Sequence, residues 1–235
     1  MTTTLITGAN KGLGKETARR LLAAGHTVYI AARDEDRGRK AAAELGARFV
    51  QLDVTDQASV DAAAKQVESD GGLDVLINNA GVEGRQPDNS ILGAAGTTAE
   101  AMLEVFATNV FGLVRVSHAF LPLLQRSGSP AIVNVSSGLG SLAMLSDPDS
   151  YTHFYPGIAY PASKAVVNAV TIQFAKAFPG IRVNAVDPGY TDTDLNGHTG
   201  TQTVGEGAEI IVAMAQTGPQ GPSGTFTSKD GPVAW

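Results

Sequence analysis

The chain has 235 residues, which fits one α/β domain, and its 43% hydrophobic and 17% charged content allows a sizeable buried core. Its net charge of -6 and the lack of any basic stripe argue against nucleic acid or an anionic membrane as a partner. The absence of cysteine excludes disulfides, thiolate nucleophiles and cysteine-ligated zinc.

Short apolar segments alternate with longer segments of helical spacing along the whole chain. The apolar segments predict strands at 3–7, 27–32, 48–52, 74–78, 131–135 and 182–186, and their nearly continuous hydrophobicity is typical of strands covered on both faces. The intervening patterns predict helices at 13–24, 36–45, 57–69, 98–124 and 160–178, with a further one at 204–216. This alternation predicts an α/β fold with a single Rossmann-type doubly wound parallel sheet and helices on both faces.

Three loops rich in glycine, proline and polar residues follow predicted strands, at 82–97, 138–158 and 190–203. Ligands of such sheets bind at the carboxyl ends of the strands, so these loops are expected to surround the site. The N-terminus has no basic or apolar leader before the first strand, and no apolar run approaches the length of a membrane span, so the cytoplasm is the expected location.

A glycine-rich loop with the sequence TGANKGLG joins the first strand to the first helix. Its glycines allow a tight turn and close backbone approach to a pyrophosphate, which the N-terminus of the helix would attract. The spacing is Gly-x-x-x-Gly-x-Gly, and an ordinary structural strand-to-helix turn is the alternative. The candidate cofactor-binding residues of this loop are Gly8, Asn10, Lys11, Gly12, Leu13 and Gly14.

The second strand ends in Ala32, followed by Arg33 and Asp34. An acidic residue at the strand tip would bind a ribose 2′-hydroxyl, whereas a basic residue favours a 2′-phosphate. Arg33 and Lys11 could reach the same phosphate, which favours NADPH (NADP) as the cofactor. In the alternative, both cations are solvated surface charges and Asp34 binds the ribose of NADH.

Three motifs occur together in order: TGANKGLG, then Asn78-Asn79-Ala80-Gly81, then Tyr160-Pro161-Ala162-Ser163-Lys164. With them, the sequence resembles the short-chain dehydrogenase/reductase family over essentially its whole length, and within it the NADPH-dependent carbonyl reductases. The resemblance implies one dinucleotide-binding and catalytic domain over residues 1–235. It also implies a catalytic tetrad of Asn109, Ser137, Tyr160 and Lys164, and a set of further cofactor-binding positions: Asp53, Val54, Asn79, Ala80, Gly81, Tyr160, Lys164, Pro188, Gly189, Thr191 and Thr193.

The chemistry expected of the tetrad is reduction of a ketone or aldehyde, with Tyr160 as the general acid. A free phenol has a pKa of about 10, and Lys164, one helical turn away, is expected to lower the pKa of Tyr160 towards working pH. Ser137 would donate to the substrate oxygen, and the resemblance implies that Asn109 anchors a water beside Lys164. Ser136 in place of Ser137, a purely structural Asn109 and an ordinary loop hydroxyl at Thr193 remain open.

The segment between Ser137 and Tyr160 is longer than in the plainest members of the family. Its apolar and aromatic residues, which include Tyr151 and Phe154, predict a wall over a lipophilic small-molecule carbonyl substrate, unless they only pack the loop onto the domain. The same insertion could block the helix pairing of family oligomers, so a homo-oligomer is left open. The histidines show no metal-ligand spacing, and no metal is expected; only His153 lies in a predicted active-site loop.

Three other functions remain open. The first is an NAD-dependent alcohol dehydrogenase, and the second is a 3-oxoacyl-carrier-protein reductase, for which a basic docking patch would be needed. The third, from a different class, is a non-catalytic NADP-sensing regulator. Such a regulator would have no need to keep Ser137, Tyr160 and Lys164 together.

Overall fold

The computed structural model describes residues 2–235. Within these residues one eight-stranded sheet has the order β3-β2-β1-β4-β5-β6-β7-β8, and every neighbouring pair is parallel except β7 and β8. The strands are β1 (Thr3–Thr7), β2 (Thr27–Ala32), β3 (Arg48–Gln51), β4 (Val75–Asn78), β5 (Ala131–Val135), β6 (Arg182–Asp187), β7 (Phe226–Ser228) and β8 (Gly231–Pro232). The prediction of a Rossmann-type doubly wound sheet is confirmed.

Helices cover both faces of this sheet. They are α1 (Gly12–Ala23), α2 (Glu35–Leu45), α3 (Gln57–Ser69), α4 (Ala99–Phe106), α5 (Leu113–Leu124), α6 (Leu142–Ser146), α7 (Ala159–Ala177) and α8 (Val204–Ala215). Successive strand residues point to opposite faces, so Leu5 and Ile6 of β1 belong to different cores. Leu5 packs with α3 and α5 through Val60 and Phe120, whereas Ile6 packs with α1 and α8 through residues such as Ile211.

The sheet topology places the ligand cleft. From β1 the chain moves outward through β2 and β3, and then returns to place β4 on the other side of β1. The loops that follow β1 and β4 therefore diverge, and a crevice opens between them at the carboxyl ends of the strands. The first two predicted strands, at 3–7 and 27–32, have the observed bounds, because their apolar side chains are buried on both faces.

The predicted helix at 98–124 is continuous in space but not α-helical throughout. A π-helical turn, Ala107–Gly112, separates α4 from α5 and contains Asn109. A π-helical turn inserts one extra residue into the hydrogen-bond ladder and often occurs at functional sites. Hydrophobic periodicity cannot reveal such an insertion, because the flanking helices keep their own apolar faces.

The combined helix Ala99–Leu124 is, by length and composition alone, long and apolar enough to cross a membrane, with a mean hydropathy of 1.2. The expectation that no apolar segment approaches this length was therefore wrong. Half of the 18-residue stretch that has this hydropathy is buried inside the protein. A core helix that packs on a sheet passes the same test of length and composition.

Two further regions differ from the predictions. The segment expected as the loop 138–158 contains α6 and two 3₁₀ turns, Gly138–Gly140 and Tyr151–Phe154. The C-terminal tail adds β7 and β8, which the sequence analysis did not predict. Both elements of the tail have three residues or fewer, too short for any periodic pattern to stand out.

Candidate active site

The glycine-rich loop after β1 has the backbone shape that close approach of a phosphate requires. Gly8 and Gly12 have φ values of 65° and 53°, a region that favours glycine. A Cβ on Gly14 would lie 2.6 Å from Asn79 Nδ2 and 2.9 Å from Ala9 Cα, so the loop and α1 pack too closely for any side chain there. Among the described residues, no side chain caps the N-terminus of α1. Its first N–H groups are therefore available to an anion, and the loop fits a dinucleotide pyrophosphate.

The segment after β4 is tied directly to this loop. Asn79 donates from Nδ2 to the carbonyl oxygen of Thr7 at 2.8 Å. In return, the Thr7 hydroxyl accepts from the backbone N–H groups of Asn79 and Ala80, each at 3.0 Å. These bonds cross the switch point of the sheet and hold the two sides of the crevice together.

The charges at the tip of β2 distinguish between the two cofactor readings. Arg33 is exposed and lines the cavity, whereas Asp34 does not line it. Asp34 instead caps α2: its Oδ1 accepts from Arg37 N at 2.9 Å and its Oδ2 accepts from Arg37 Nε at 2.8 Å. Both carboxylate oxygens are thus engaged away from the crevice, which is unlike an acidic residue that binds a ribose 2′-hydroxyl.

Lys11 also lies at the crevice, but it is not a free cation. Its Nζ lies 2.6 Å from Asp194 Oδ2, and Asp194 Oδ1 lies 2.7 Å from His198 Nε2. His198 Nδ1 lies 2.7 Å from Asp192 Oδ1. These two carboxylates raise the pKa of His198, and Lys11 and His198 lower the pKa of Asp194. This chain of charges joins the phosphate loop to the segment 190–203 across the crevice.

Tyr160 and Lys164 lie on one face of α7 at the inner end of the cavity, with only 9% and 5% of their surfaces exposed. Lys164 Nζ donates to the carbonyl oxygen of Val135 at 2.8 Å and lies 5.5 Å from the centre of the Tyr160 ring. Ser137 follows β5 directly and lines the same cavity. The predicted acid, cation and hydroxyl donor are therefore adjacent.

Burial shifts the acid–base properties of this pair. It strongly raises the pKa of the Tyr160 phenol, the carboxylates of Glu83 and Asp187 raise it further, and a hydrogen bond with Ser137 lowers it. The net shift of the Tyr160 pKa is therefore upward, opposite to the lowering expected from Lys164. Burial lowers the pKa of Lys164 to about 8, against the opposing effect of Asp187. Burial and, to a smaller extent, the neighbouring carboxylates thus keep Tyr160 protonated, as a proton donor must be.

Asn109 lies behind the wall of the cavity rather than in it. Its side chain accepts from Val82 N at 2.8 Å and donates to Val82 O at 2.9 Å and to Ser163 Oγ at 3.0 Å. Its Oδ1 would also lie 3.4 Å from a Cβ on Gly81, a position only 3.8 Å from Lys164 Nζ. Asn109 thus fixes the segment after β4 next to Lys164, and its predicted water-anchoring role stays a prediction.

The two serines after β5 have different surroundings. The Ser136 hydroxyl donates to Asn168 Oδ1 at 2.6 Å within the protein interior. The Ser137 hydroxyl accepts only a longer bond from Leu139 N, at 3.2 Å, and reaches the Tyr160 phenol. This geometry supports Ser137 rather than Ser136 for contact with a substrate oxygen.

The remaining predicted cofactor positions line the same cavity, which has a volume of about 1260 Å³. Asp53 is held at the end of β3 by bonds from Thr55 N at 2.8 Å and Thr55 Oγ1 at 2.7 Å. Every predicted site residue except Asn109 contributes to this cavity. Those not yet described are Asn10, Leu13, Val54, Pro188, Gly189, Thr191 and Thr193.

Several residues of the cavity were missed as site residues by the sequence analysis. Glu83 is buried, and it accepts from Tyr155 Oη at 3.0 Å and from Arg85 Nε at 2.8 Å. Asp187 ends β6 and is also buried. Both lie close in sequence to predicted residues, Glu83 two positions after Gly81 and Asp187 just before Pro188. The sequence does not show in which direction a single carboxylate beside a motif points.

The aromatic residues of the segment 138–158 divide between the cavity and its outer surface. Tyr151, Phe154 and Tyr155 line the cavity, whereas His153 does not and bonds instead to Leu145 O at 3.1 Å. Phe154 is 76% exposed and Tyr151 is 61% exposed, so these two residues form a rim of the cavity and do not pack into the core.

Comparison with known proteins gives consistent matches. Residues 2–203 match the model of a family described as short chain dehydrogenase. The chain is 36% identical to (-)-isopiperitenone reductase of Mentha piperita, in an alignment that covers 98% of this chain and 97% of the relative. It is also 36% identical to (+)-neomenthol dehydrogenase of Arabidopsis thaliana, with 96% and 95% covered. The first of these alignments spans 304 positions against 235 residues here, so that relative contains segments that this chain lacks.

Solved structures agree with these sequence matches. The NADPH-bound carbonyl reductase from chicken fatty liver superimposes with a TM-score of 0.86 at 30% identity, covering 100% of this chain and 99% of the other. Salutaridine reductase from Papaver somniferum superimposes with a TM-score of 0.83 at 31% identity, covering 96% and 99%.

Proposed function

The chain belongs to the short-chain dehydrogenase family, and we propose that it is an NADPH-dependent oxidoreductase that reduces a ketone or aldehyde to an alcohol, with Tyr160 as the proton donor. The observation that carries this proposal is that one cavity contains both parts of the site. It joins a phosphate-binding loop at one end to Tyr160, Lys164 and Ser137 at the other. The related ketone reductases and the NADPH-bound carbonyl reductase support the same reaction and cofactor.

Bound NADPH supplies the hydride for the carbonyl carbon. The residues of the chain supply the rest of the reaction. Tyr160, kept protonated by burial, gives its phenolic proton to the carbonyl oxygen as negative charge develops there. Ser137 donates a hydrogen bond to the same oxygen, and the Lys164 ammonium, present below its pKa of about 8, stabilises the phenolate left behind. Burial of the pair strengthens both interactions, because water does not screen them.

The cofactor preference rests on Arg33, Lys11 and Asp34. Arg33 and Lys11 line the crevice at the end of β2, where they are placed to bind a 2′-phosphate. Asp34, the residue that NADH would need, is held by Arg37 as the cap of α2. To bind the phosphate, Lys11 must either contact it while remaining paired with Asp194 or break that ion pair.

The substrate is a small lipophilic carbonyl compound. The aromatic rim of Tyr151, Phe154 and Tyr155 borders the catalytic end of the cavity, and Phe154 leaves most of its ring exposed. An apolar ligand would cover that surface, which is otherwise costly to expose to water. Tyr155 reaches inward to Glu83, so the rim is attached to the wall next to Tyr160.

Assembly and location are proposals as well. A homo-oligomer is supported by Leu103 and Phe111, which are 58% and 49% exposed on the helix Ala99–Leu124 and which a second copy could cover. A measured mass of one chain in light scattering would reject it. We also propose a cytoplasmic location; half of the most apolar stretch of that helix is buried, as in a core helix, which argues against a membrane span. That one domain spans residues 1–235 stays a prediction.

The substitution Tyr160→Phe tests the proposed role of Tyr160. It removes the phenolic proton but keeps the ring, so NADPH should still bind, while turnover of any accepted carbonyl should fall on the order of a hundredfold or more. Tryptophan and nicotinamide fluorescence would measure binding, and NADPH oxidation would measure turnover. A variant that keeps more than about a tenth of the wild-type rate would refute the role, given the size expected of general acid catalysis.

A further inference from the structure

We infer that Asp187 is a positioning residue for the catalytic pair: its buried carboxylate is the counter-charge that keeps Lys164 an ammonium and holds the proton on Tyr160. This inference rests on the proposed function of the site. It assigns to the acid at the end of β6 an electrostatic role in setting the pH range of the reaction.

Asp187 is held in place from two sides. Its Oδ1 accepts from Gly189 N at 3.0 Å, which closes a turn at the end of β6. Its carboxylate also accepts a hydrogen bond from the backbone N–H of Gly138, the residue that follows Ser137. Its Oδ2 would lie only 3.0 Å from a Cβ at that position. The carboxylate therefore lies in the wall of the cavity beside the catalytic serine, with 7% of the residue exposed.

The buried charge of Asp187 has no cation in direct contact. Within residues 2–235, no lysine, arginine or histidine nitrogen lies within 4.0 Å of its carboxylate. A buried carboxylate without a cation in contact is costly to the fold, and an uncharged asparagine could also accept the bond from Gly189, so the turn alone does not require an acid. Lys164 is a second buried charge nearby, and its Nζ donates to the uncharged carbonyl oxygen of Val135. Val135 is paired across the sheet with Val186, the residue that precedes Asp187, so the two charges lie at the ends of neighbouring strands. Opposite charges in a poorly screened interior attract each other beyond contact distance.

The groups that face this pair come from several elements. Burial raises the pKa of the Asp187 carboxyl, and the charge of Asp230, in the turn between β7 and β8, raises it further. The hydrogen bonds from the backbone and the charge of Lys164 lower it in part. The Tyr151 hydroxyl approaches the same place: it lies 2.6 Å from the position that a Cβ on Gly138 would occupy. Burial, together with a smaller contribution from the Asp187 charge, raises the pKa of Tyr151 to about 12.

The charge of Asp187 acts in one direction on both members of the pair. It raises the pKa of Lys164 and that of Tyr160. Glu83, from the segment after β4, also raises the pKa of Tyr160 but is not among the groups that shift Lys164. Removing the charge of Asp187 should therefore lower both values together, whereas removing that of Glu83 should lower only that of Tyr160.

The substitution Asp187→Asn keeps the shape and removes the charge. We expect the alkaline limb of the pH profile of kcat for NADPH-dependent reduction of a cyclic ketone to move to lower pH by about half a unit to one unit, the size of one screened charge interaction. Asp230→Asn is the matched control: it removes an acidic charge that faces Asp187 but contacts neither Tyr160 nor Lys164, and its profile should follow the wild type. A profile of Asp187→Asn that superimposes on the wild type would overturn the inference.

A second readout does not depend on turnover. In protein with isotope-labelled lysine side chains and no cofactor, nuclear magnetic resonance titration should show that the Lys164 ammonium loses its proton at lower pH in Asp187→Asn than in the wild type. An unchanged Lys164 titration would overturn the inference even if the enzyme reduces ketones normally. A shifted titration in a protein that reduces no carbonyl would retain the electrostatic role of Asp187 and instead refute the proposed function.

Discussion

The substitution Arg33→Ala tests how the site selects its cofactor. Arg33 is exposed at the carboxyl end of β2 and lines the crevice, and the neighbouring Asp34 is engaged with Arg37. If Arg33 binds the 2′-phosphate, its loss should weaken NADPH and leave NADH nearly unaffected, because the two cofactors differ only in that group.

The size of this effect follows from the exposure of Arg33. A hydrogen bond to a charged group contributes about 1.5–3 kcal/mol when it is shielded from water. Exposure and salt reduce this for Arg33, and about 1–2 kcal/mol is a reasonable expectation, which corresponds to roughly a 5- to 30-fold rise in the Kd of NADPH. Lys11 should not compensate fully, because Asp194 already neutralises much of its charge.

The assay is fluorescence titration of NADPH and of NADH at low and high salt. Arg39→Ala is the matched control, because Arg39 is an exposed arginine of α2 that pairs with Glu35 and does not line the cavity. We expect the loss in Arg33→Ala to shrink as salt rises, since salt screens exposed charges. Equal losses of affinity for NADPH and NADH would refute the assignment of Arg33 to the 2′-phosphate.

Three further predictions follow from the site. Asp34→Ala should lower the free energy of unfolding, measured by urea denaturation, by about 1 kcal/mol through loss of the α2 cap. The ratio of NADPH to NADH affinity should stay unchanged. A shift of this ratio towards NADPH would show that Asp34 does face the ribose. Gly14→Ala should cost about 1–3 kcal/mol of stability and weaken NADPH binding, because its Cβ would lie 2.6 Å from Asn79 Nδ2; wild-type affinity and melting temperature would contradict the tight packing. The kcat/KM should fall above about pH 8, because Lys164, whose pKa is lowered to about 8, loses its positive charge there. A kcat/KM that still rises beyond that pH would contradict the role of the Lys164 ammonium in stabilising the phenolate.

The sequence was most informative where function depends on the backbone. The continuous apolar strands predict the parallel sheet, and the glycine-rich loop predicts the phosphate site, because both depend on local pattern and on the absence of side chains. The π-helical turn at Asn109 was not predictable, since one extra residue in a helix leaves no periodic trace.

The electrostatics of the site depended instead on contacts between distant parts of the chain. Lys11 forms an ion pair with Asp194, which lies 183 positions away in the sequence. This pairing reduces the positive charge that Lys11 can offer to a phosphate. Burial, reinforced by the carboxylates of Glu83 and Asp187, raises the pKa of Tyr160, the opposite of what its spacing to Lys164 indicates. A spacing of four residues places two side chains together, but burial decides how they titrate.

The most direct test of the central claim is the oxidation of NADPH, with NADH in parallel, across ketones, quinones and aldehydes of increasing lipophilicity, with the alcohol product quantified. The proposed function predicts turnover that prefers NADPH, gives one alcohol for each NADPH consumed and improves with lipophilic ketones that can cover Tyr151 and Phe154. Tight binding of NADPH without oxidation by any of these carbonyls would contradict it and indicate a protein that binds the dinucleotide without reducing carbonyls.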